Sequence, residues 1–323
     1  MLAAYAARFS PDRPLDALEV GERPAPAAQE GWVSLPVVAA GLNHHDLWSL
    51  RGVGLRPEQL PMILGCDAVV RHPEEGEVVL LPVIPGTPGW TGDITLDPRR
   101  SLLSELHQGT LAEQVSVPEG SWVAKPDHLS AVEAAALSTA WLTAYRMLFR
   151  NADVRPGDLV LVQGAGGGVA TALIQLASAA GLRVWVTSRD ETKLERAREL
   201  GAERGFEAGA RLPEKVDAVL ETVGAATWSH SVNVLRPGGT IVICGATSGD
   251  APAKAELTKI FFRQLRVVGS TMGTKEELRA LCSFVSTTGL RPRIDSTYPL
   301  TRAREALAKM ESGELVGKIG ITP

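Results

Sequence analysis

The sequence predicts an α/β protein that combines a doubly wound parallel sheet with a second, irregular β-rich domain. Residues 159–190 follow the order strand, glycine turn, helix and second strand without a gap. Up to about residue 125 the chain forms short β-type runs split by Pro and Gly, whereas from residue 131 onward strand-like runs alternate with helical patterns. We therefore expect two domains, one built mainly of short β-strands and one in which strands and helices alternate.

The central stretch is the most informative part of the chain. Residues 159–162 are an apolar run typical of a buried parallel strand, apolar residues then recur at helical spacing as far as Gly181, and residues 183–187 form the next predicted strand. Glycines let a backbone approach a pyrophosphate closely, and the free N–H groups of a helix N-terminus favour its charge. We predict that this turn binds a nucleotide through Gly164, Gly166, Gly167, Gly168, Val169 and Ala170.

The literal pattern G-x-G-x-x-G fails here, because Val169 stands three residues after Gly166. The spacing that fits is Gly164, Gly167 and Ala170. A glycine turn without a ligand is the alternative, and the complete strand–turn–helix–strand context favours the nucleotide.

Composition points to a small partner. The chain has 323 residues, 33 Lys plus Arg against 37 Asp plus Glu, and a net charge of -4. This balance predicts neither a nucleic-acid partner nor a membrane partner. The three cysteines are too few for a disulfide framework, and we find no leader segment, so we expect a cytoplasmic protein.

The remaining elements follow in order. The first domain has predicted strands at residues 32–40, 66–71, 77–82 and 111–117. A helix is predicted over residues 131–148, further buried strands over 216–221, 240–244 and 265–269, and a helix over 276–286. Residues 317–321 form a last strand without a partner helix, which suits a return to the first domain.

Several blocks carry a family resemblance: residues 40–48, 61–67, the glycine turn, 236–240, 269–271 and 317–319. With these blocks the chain resembles the medium-chain dehydrogenase/reductase superfamily, and within it the alcohol-dehydrogenase-like and quinone-oxidoreductase-like enzymes that lack zinc. The resemblance implies a GroES-like catalytic domain from residues 1–125 and 291–323 and a Rossmann dinucleotide-binding domain from residues 126–290. It also implies a homodimer paired through residues 265–269.

The metal positions of the family are altered in this chain. Asn43 stands where the alcohol dehydrogenases have a cysteine, Cys66 stands where they have a histidine, and Ala135 lies near a third ligand position. Residues 83–111, where a four-cysteine zinc lobe would fall, contain no cysteine. We therefore predict no bound metal, with this loop held instead by packing of Trp90, Leu96 and Leu102. An unusual site built from His44, His45, Asp46 and Cys66 is the alternative.

Without a Lewis acid, hydride addition to a polarised C=C bond or a quinone is favoured over alcohol oxidation. Related enoyl reductases carry a tyrosine shortly after the position of Gly52, and this chain has Val53 and Gly54 there. The candidate catalytic residues are His45, His44, Asp46 and Asn43. Either histidine could donate a proton, with Asp46 fixing its tautomer; alternatively, the histidine pair only caps a loop.

Cofactor choice depends on the residues that follow the second strand of the central stretch. An NAD enzyme would place a carboxylate there to bind the ribose, whereas this chain offers Ser188 and Arg189, with Lys193 one turn further on. Asp190 is a rival for the ribose but is better suited to cap the next helix. We predict NADP(H). The nicotinamide end is predicted to contact residues that follow three later strands: Thr222, Val223, Gly224, Gly245, Ala246, Ser270 and Thr271.

These inferences predict an NADPH-dependent oxidoreductase that transfers hydride to an enone, enal or quinone without zinc. An alcohol dehydrogenase or aldehyde reductase of the same fold is one alternative. An NADPH-binding sensor without turnover is an alternative of another class. In the two enzyme cases the partner is a small-molecule carbonyl or quinone substrate.

Overall fold

The computed structural model describes all 323 residues and divides into two compact units, residues 1–142 with 272–323 and residues 143–271. Residues 126–142 and 272–290, which the sequence assigned to the nucleotide-binding domain, pack with the first unit. The reason is local: Lys275 Nζ donates to the Gly120 carbonyl, and a Cβ at Gly273 would lie 2.6 Å from the Leu142 side chain. No helix is long and apolar enough to cross a bilayer.

The strands are numbered in chain order. They are β1 (Leu2–Ala6), β2 (Leu18–Glu22), β3 (Trp32–Gly41), β4 (Met62–Ile63), β5 (Asp67–His72), β6 (Gly76–Leu80), β7 (Val83–Ile84), β8 (Ser101–Leu102), β9 (Gln114–Pro118), β10 (Trp122–Ala124), β11 (Leu159–Gln163), β12 (Arg183–Ser188), β13 (Arg204–Glu207), β14 (Val216–Glu221), β15 (Leu235–Ile243), β16 (Arg266–Gly269), β17 (Ile294–Pro299) and β18 (Lys318–Thr322).

The α-helices are α1 (His44–Arg51), α2 (Ala131–Ala135), α3 (Leu142–Arg146), α4 (Gly168–Ala179), α5 (Glu191–Glu199), α6 (Trp228–Val234), α7 (Leu257–Phe262), α8 (Lys275–Thr288) and α9 (Ala303–Ser312). The single helix predicted over residues 131–148 is interrupted by π-helical turns at Leu137–Trp141 and Met147–Asn151. Each π turn shifts the helical register, and this keeps Leu137, Trp141 and Leu148 all buried.

The first unit is built on a sheet with the strand order β10-β6-β5-β3-β18-β17, and β9 pairs with the first half of β3. A smaller sheet has the order β2-β1-β4. The predicted return of the C-terminal strand is confirmed: β18 runs antiparallel to β3 and parallel to β17. The core between these strands is aliphatic, with Leu35, Leu80 and Ile321 almost fully buried.

The second unit is a Rossmann fold. Its six strands are all parallel and have the order β13-β12-β11-β14-β15-β16. Strands β12 and β13 thus lie on one side of β11, and the chain then crosses to the other side, where β14, β15 and β16 follow. Strand β11 is buried along its whole length, as its apolar sequence predicts. Ligands of such sheets bind at the carboxyl ends of the strands at the point of reversal.

The loop between β7 and β8 is held differently from the sequence-based expectation. Trp90 is 37% exposed and Leu96 is 66% exposed, so packing of these side chains does not hold the loop, and that expectation was wrong. Instead, the carboxylate of the buried Asp97 accepts from the backbone N–H groups of Gly86, Thr87 and Arg99 and from the Thr87 hydroxyl. These hydrogen bonds lower the pKa of Asp97, although desolvation opposes them, because they stabilise the charged form.

Candidate functional site

The glycine turn joins β11 to α4 and leaves the N-terminus of this helix open. Gly164 has φ +85°, a conformation that disfavours side chains, and Gly167 is the N-cap residue of α4. An added Cβ at Gly167 would meet no protein atom within 4 Å, so the helix N-terminus faces open space. Ala170 is buried at the close packing position. The turn therefore fits a pyrophosphate, because it combines free N–H groups with room for the ligand.

Of the residues at the end of β12, some hold the start of α5, and one has a side chain without a partner in the protein. Asp190 is the N-cap of α5, and its Oδ1 accepts from Thr192 N at 2.9 Å and from Lys193 N at 3.4 Å, which confirms the predicted cap. Ser188 Oγ accepts from the Asp190 N–H. The Arg189 guanidinium is exposed and makes no hydrogen bond or ion pair within the protein. Arg189 is thus free to bind a phosphate, whereas Oδ1 of Asp190 is already engaged.

Residues predicted at the nicotinamide end lie together around the carboxyl ends of β14 and β15. Ser248 N donates to Val223 O at 2.8 Å, and a Cβ at Gly245 would lie 3.3 Å from Thr222 O. Gly224 packs so closely on Ala246 that a Cβ would lie 2.7 Å from the Ala246 Cα. Ser270 N donates to Ile243 O, and Ser270 Oγ accepts from Asn151 Nδ2. Thr271 follows and is exposed. Their role in binding stays a prediction.

A buried polar network beneath this turn was missed from the sequence. Glu221 Oε1 accepts from Val223 N at 2.8 Å and from Gly224 N at 3.0 Å, so the last residue of β14 shapes the turn that follows it. Its other oxygen accepts from the Ser231 hydroxyl at 2.6 Å, and Gln163 Nε2 donates to that hydroxyl. A polar residue that closes an apolar strand, as Gln163 and Glu221 do, was the available signal.

The candidate catalytic residues in the first unit lie in the first turn of α1 and at its N-cap, Asn43. Asp46 is fully buried, and its oxygens accept from Asn43 N at 2.8 Å and from Gly65 N at 2.9 Å. It makes no hydrogen bond to either histidine, so the expectation that it fixes a histidine tautomer was wrong. Desolvation raises the pKa of Asp46, and the two backbone hydrogen bonds oppose that shift. Asp46 anchors the start of α1 to the segment that contains Gly65.

The two histidines differ in their surroundings. His44 is exposed as a residue, but its imidazole ring is partly shielded from water, and this desolvation, with the charges of Lys318 and Arg51, lowers its pKa. His45 is half-buried, and its Nε2 lies 3.1 Å from the hydroxyl of Ser104. Ser104 was not singled out from the sequence because it lies 59 positions away along the chain. His45 therefore has a fixed partner and His44 has none.

A buried lysine binds Asn43. Lys318 Nζ donates to Asn43 Oδ1 at 2.6 Å and lies 2.8 Å from Asp67 Oδ2, and both members of the ion pair are at most 4% exposed. Lys318 Nζ also donates to the Leu42 carbonyl. A Cβ at Gly41 would lie 2.9 Å from Asp67 Oδ2, which explains the glycine. The ammonium thus makes two hydrogen bonds, and the buried Asp67 carboxylate balances its charge as an ion pair.

These donors do not fit a zinc ion. No group of three or more His, Cys, Asp or Glu side chains in the protein is placed to hold a metal. The Cys66 thiol donates to the Leu103 carbonyl at 3.1 Å, and burial raises its pKa, which keeps it protonated. The Asn43 oxygen is already bound to an ammonium, whose charge would repel a divalent cation. The alternative site from His44, His45, Asp46 and Cys66 is not assembled.

Comparisons with known proteins agree with this architecture. Residues 168–287 match a family model described as zinc-binding dehydrogenase. The zinc-type alcohol dehydrogenase-like protein YogA of Leptosphaeria maculans is 31% identical over 318 residues, which covers 87% of this chain and 86% of that protein. A solved NAD-dependent alcohol dehydrogenase superposes with a TM-score of 0.89 at 32% identity and full coverage of both chains. Crotonyl-CoA carboxylase/reductase AntE in complex with NADP shares the fold, with a TM-score of 0.89 at 23% identity, 100% coverage of this chain and 94% of its own.

Proposed function

Because this chain belongs to the medium-chain dehydrogenase/reductase superfamily, and is therefore an oxidoreductase, we propose that it reduces an enone, enal or quinone with NADPH and without zinc. The observation that carries the proposal is the ammonium of Lys318, which binds Asn43 where the zinc enzymes of the family have a ligand. A positive charge there disfavours a metal ion and hence a metal-bound alkoxide. Reduction of a conjugated acceptor needs only a hydride and a proton.

Binding of the cofactor is supported within the Rossmann unit. The N-terminus of α4 would receive the pyrophosphate at Gly167, and the turn of Thr222 and Val223, held by Glu221, would contact the nicotinamide end. A dihydronicotinamide bound there would supply the hydride. The protein supplies its orientation and, from His45, the proton that completes the reduction.

The preference for NADPH rests on Arg189 and Ser188, with Lys193 nearby. Arg189 is exposed without an internal partner, and a guanidinium binds phosphate through paired hydrogen bonds. Oδ1 of Asp190 accepts two backbone N–H groups of α5, which gives this residue a structural role as the helix cap. A relative whose name specifies NAD shows that the opposite preference occurs on this fold.

An absorbance assay tests the proposal. The protein is mixed with NADPH or NADH and with members of four substrate classes: quinones, enones, enals and saturated aldehydes. We expect oxidation of NADPH with conjugated acceptors and little with saturated aldehydes. A preference for saturated aldehydes, or alcohol oxidation with NAD, would favour the alcohol dehydrogenase that the relatives' names suggest. Tight NADPH binding without turnover in any class would favour the sensor.

A homodimer through β16 is a second part of the proposal. Strand β16 is the outer strand of its sheet, so one edge carries unpaired N–H and C=O groups. Val267 on this strand is 43% exposed, and three large apolar side chains of the preceding helix α7 are more exposed still: Leu257 at 69%, Phe261 at 64% and Phe262 at 76%. An apolar edge of this kind is typical of an interface. Sedimentation velocity should give a dimer for the wild type and a monomer for Val267→Lys.

A further inference from the structure

His45 belongs to a short chain of hydrogen bonds that the proposed reaction has not yet used. Its Nε2 lies 3.1 Å from Ser104 Oγ, and that hydroxyl lies 3.5 Å from Cys66 Sγ. The Cys66 sulfur is itself 3.1 Å from the Leu103 carbonyl oxygen. Cys66 is 1% exposed and Ser104 is fully buried, so water does not compete for these groups.

The donor and acceptor of each of these hydrogen bonds follow from the end at Leu103, whose carbonyl closes the series. The Leu103 carbonyl can only accept, so the thiol proton of Cys66 points to it. The sulfur is then left as an acceptor for the Ser104 hydroxyl proton. With that proton committed, Ser104 Oγ offers a lone pair to His45 and accepts the Nε2–H. Burial raises the pKa of the Cys66 thiol, so the closed end keeps its proton at neutral pH.

The backbone conformation of Ser104 indicates that its hydroxyl has a specific function. Its φ is +65°, a left-handed conformation that is costly for a residue with a side chain, and Ser104 N donates to His107 O at 2.8 Å. Glycine would adopt this conformation without strain. The side chain is therefore present despite a local cost, and its only hydrogen-bonding neighbours are His45 and Cys66.

We propose that Ser104 and Cys66 keep a proton on Nε2 of His45, so that the imidazole gives up and regains its reactive proton at Nδ1. The catalytic part of this inference rests on the proposed function. The imidazolium donates the Nδ1 proton to the negative charge that hydride addition leaves on the acceptor. Neutral His45 then still donates Nε2–H to Ser104, and solvent returns a proton to Nδ1 because the side chain is half-exposed. No tautomer change is required, and Ser104 and Cys66 act as positioning residues.

Nitrogen NMR of the full chain tests the tautomer without any activity. The six histidines are labelled with nitrogen-15, His45→Gln assigns the His45 signals, and spectra are recorded about two pH units above the ordinary imidazole pKa of about 6.5. We expect a protonated Nε2 and an unprotonated Nδ1 in the wild type. Ser104→Gly should give mixed tautomers, and Cys66→Ala should give a smaller change in the same direction. A wild type protonated mainly at Nδ1, or an unchanged Ser104→Gly spectrum, would overturn the inference.

Two variants separate the hydroxyl from the backbone. Ser104→Ala and Ser104→Gly both remove the hydrogen bond, and only the glycine relieves the strained φ. If the hydroxyl positions His45, kcat should fall by about three- to tenfold in both, the factor for one net hydrogen bond, with KM and NADPH affinity retained. If kcat falls only in the less stable of the two variants, the role of Ser104 is structural. If kcat is unchanged although the tautomer has changed, Nδ1 of His45 is not the proton donor. If the variants alter the tautomer but the protein shows no turnover, the proposed function is refuted and the series of hydrogen bonds from His45 to Leu103 still stands.

Discussion

Lys318 Nζ lies 2.6 Å from Asn43 Oδ1, although the two residues are 275 positions apart in the chain. One lies at the start of the C-terminal strand β18 and the other is the N-cap of α1. Their contact places a buried positive charge against Asn43, the residue that the family resemblance assigns to a metal-ligand position. Asp67 compensates this charge from β5, so three distant segments are needed to satisfy one ammonium.

Lys318→Met should destabilise the protein by about 3–5 kcal/mol, because it leaves the Asp67 carboxylate buried without a counter-charge. Lys309→Met is the matched control. Lys309 pairs with Asp295 at a partly exposed position, where an ion pair contributes about 0–1 kcal/mol. Urea unfolding measures both. Combining Lys318→Met with Asp67→Asn should recover part of the loss, and equal losses for the two lysine variants would contradict this account.

Gly167→Val should abolish cofactor binding and leave the fold intact. Its φ of -71° suits any residue, and an added Cβ meets no protein atom within 4 Å, so the new side chain would occupy only the expected pyrophosphate path. Gly167→Ala should give an intermediate loss. Fluorescence titration with NADPH and a thermal melt measure the two effects. Wild-type affinity in the valine variant would remove this turn from the cofactor site.

Arg189→Ala should weaken NADPH binding by about ten- to a hundredfold and spare NADH, because one charge-assisted hydrogen bond contributes about 1.5–3 kcal/mol. Arg196→Ala is the control for net charge, since Arg196 is already paired with Glu199 on α5. Titration with each cofactor measures the change. Equal losses for NADPH and NADH, or a wild type that prefers NADH, would point to Asp190 as the ribose ligand.

Prolonged treatment with a strong chelator should change neither activity nor melting temperature. The protein has no group of three His, Cys, Asp or Glu side chains placed for a metal, and Asn43 is occupied by an ammonium. Elemental analysis of protein purified without added metal should give well under one zinc per chain. Stoichiometric zinc that is lost and restored together with activity would move the assignment to an alcohol dehydrogenase.

The three thiols should resist alkylation at pH 8 while the protein is folded. Burial raises the pKa of Cys66, and it raises the pKa values of Cys244 and Cys282 to about 12, so the neutral thiol persists to higher pH in each case. Only the thiolate reacts, so iodoacetamide labelling followed by mass spectrometry should be about a hundredfold slower than in urea. Rapid labelling of folded Cys66 would mean that its S–H is not held by Leu103.

The sequence predicted the parts of the molecule that are local in the chain. The strand, the glycine turn and α4 are adjacent, so their periodicity and glycine spacing identified them, and Asp190 was recognised as a cap from its neighbours alone. Ser104 and Lys318 meet α1 only after folding, and no local pattern marks them. Asp46 was misassigned for the same reason: its second partner, Gly65, lies 19 positions away.

The carboxylate of Asp97 gives the loop between β7 and β8 a property that cysteine-based lobes lack. Its four hydrogen bonds come from the chain itself, and residues 85–100 contain no thiol. A carboxylate is inert to oxidants and needs no metal to be delivered during synthesis. The hydrogen bonds that hold this loop therefore depend on neither a metal ion nor the redox state of a thiol.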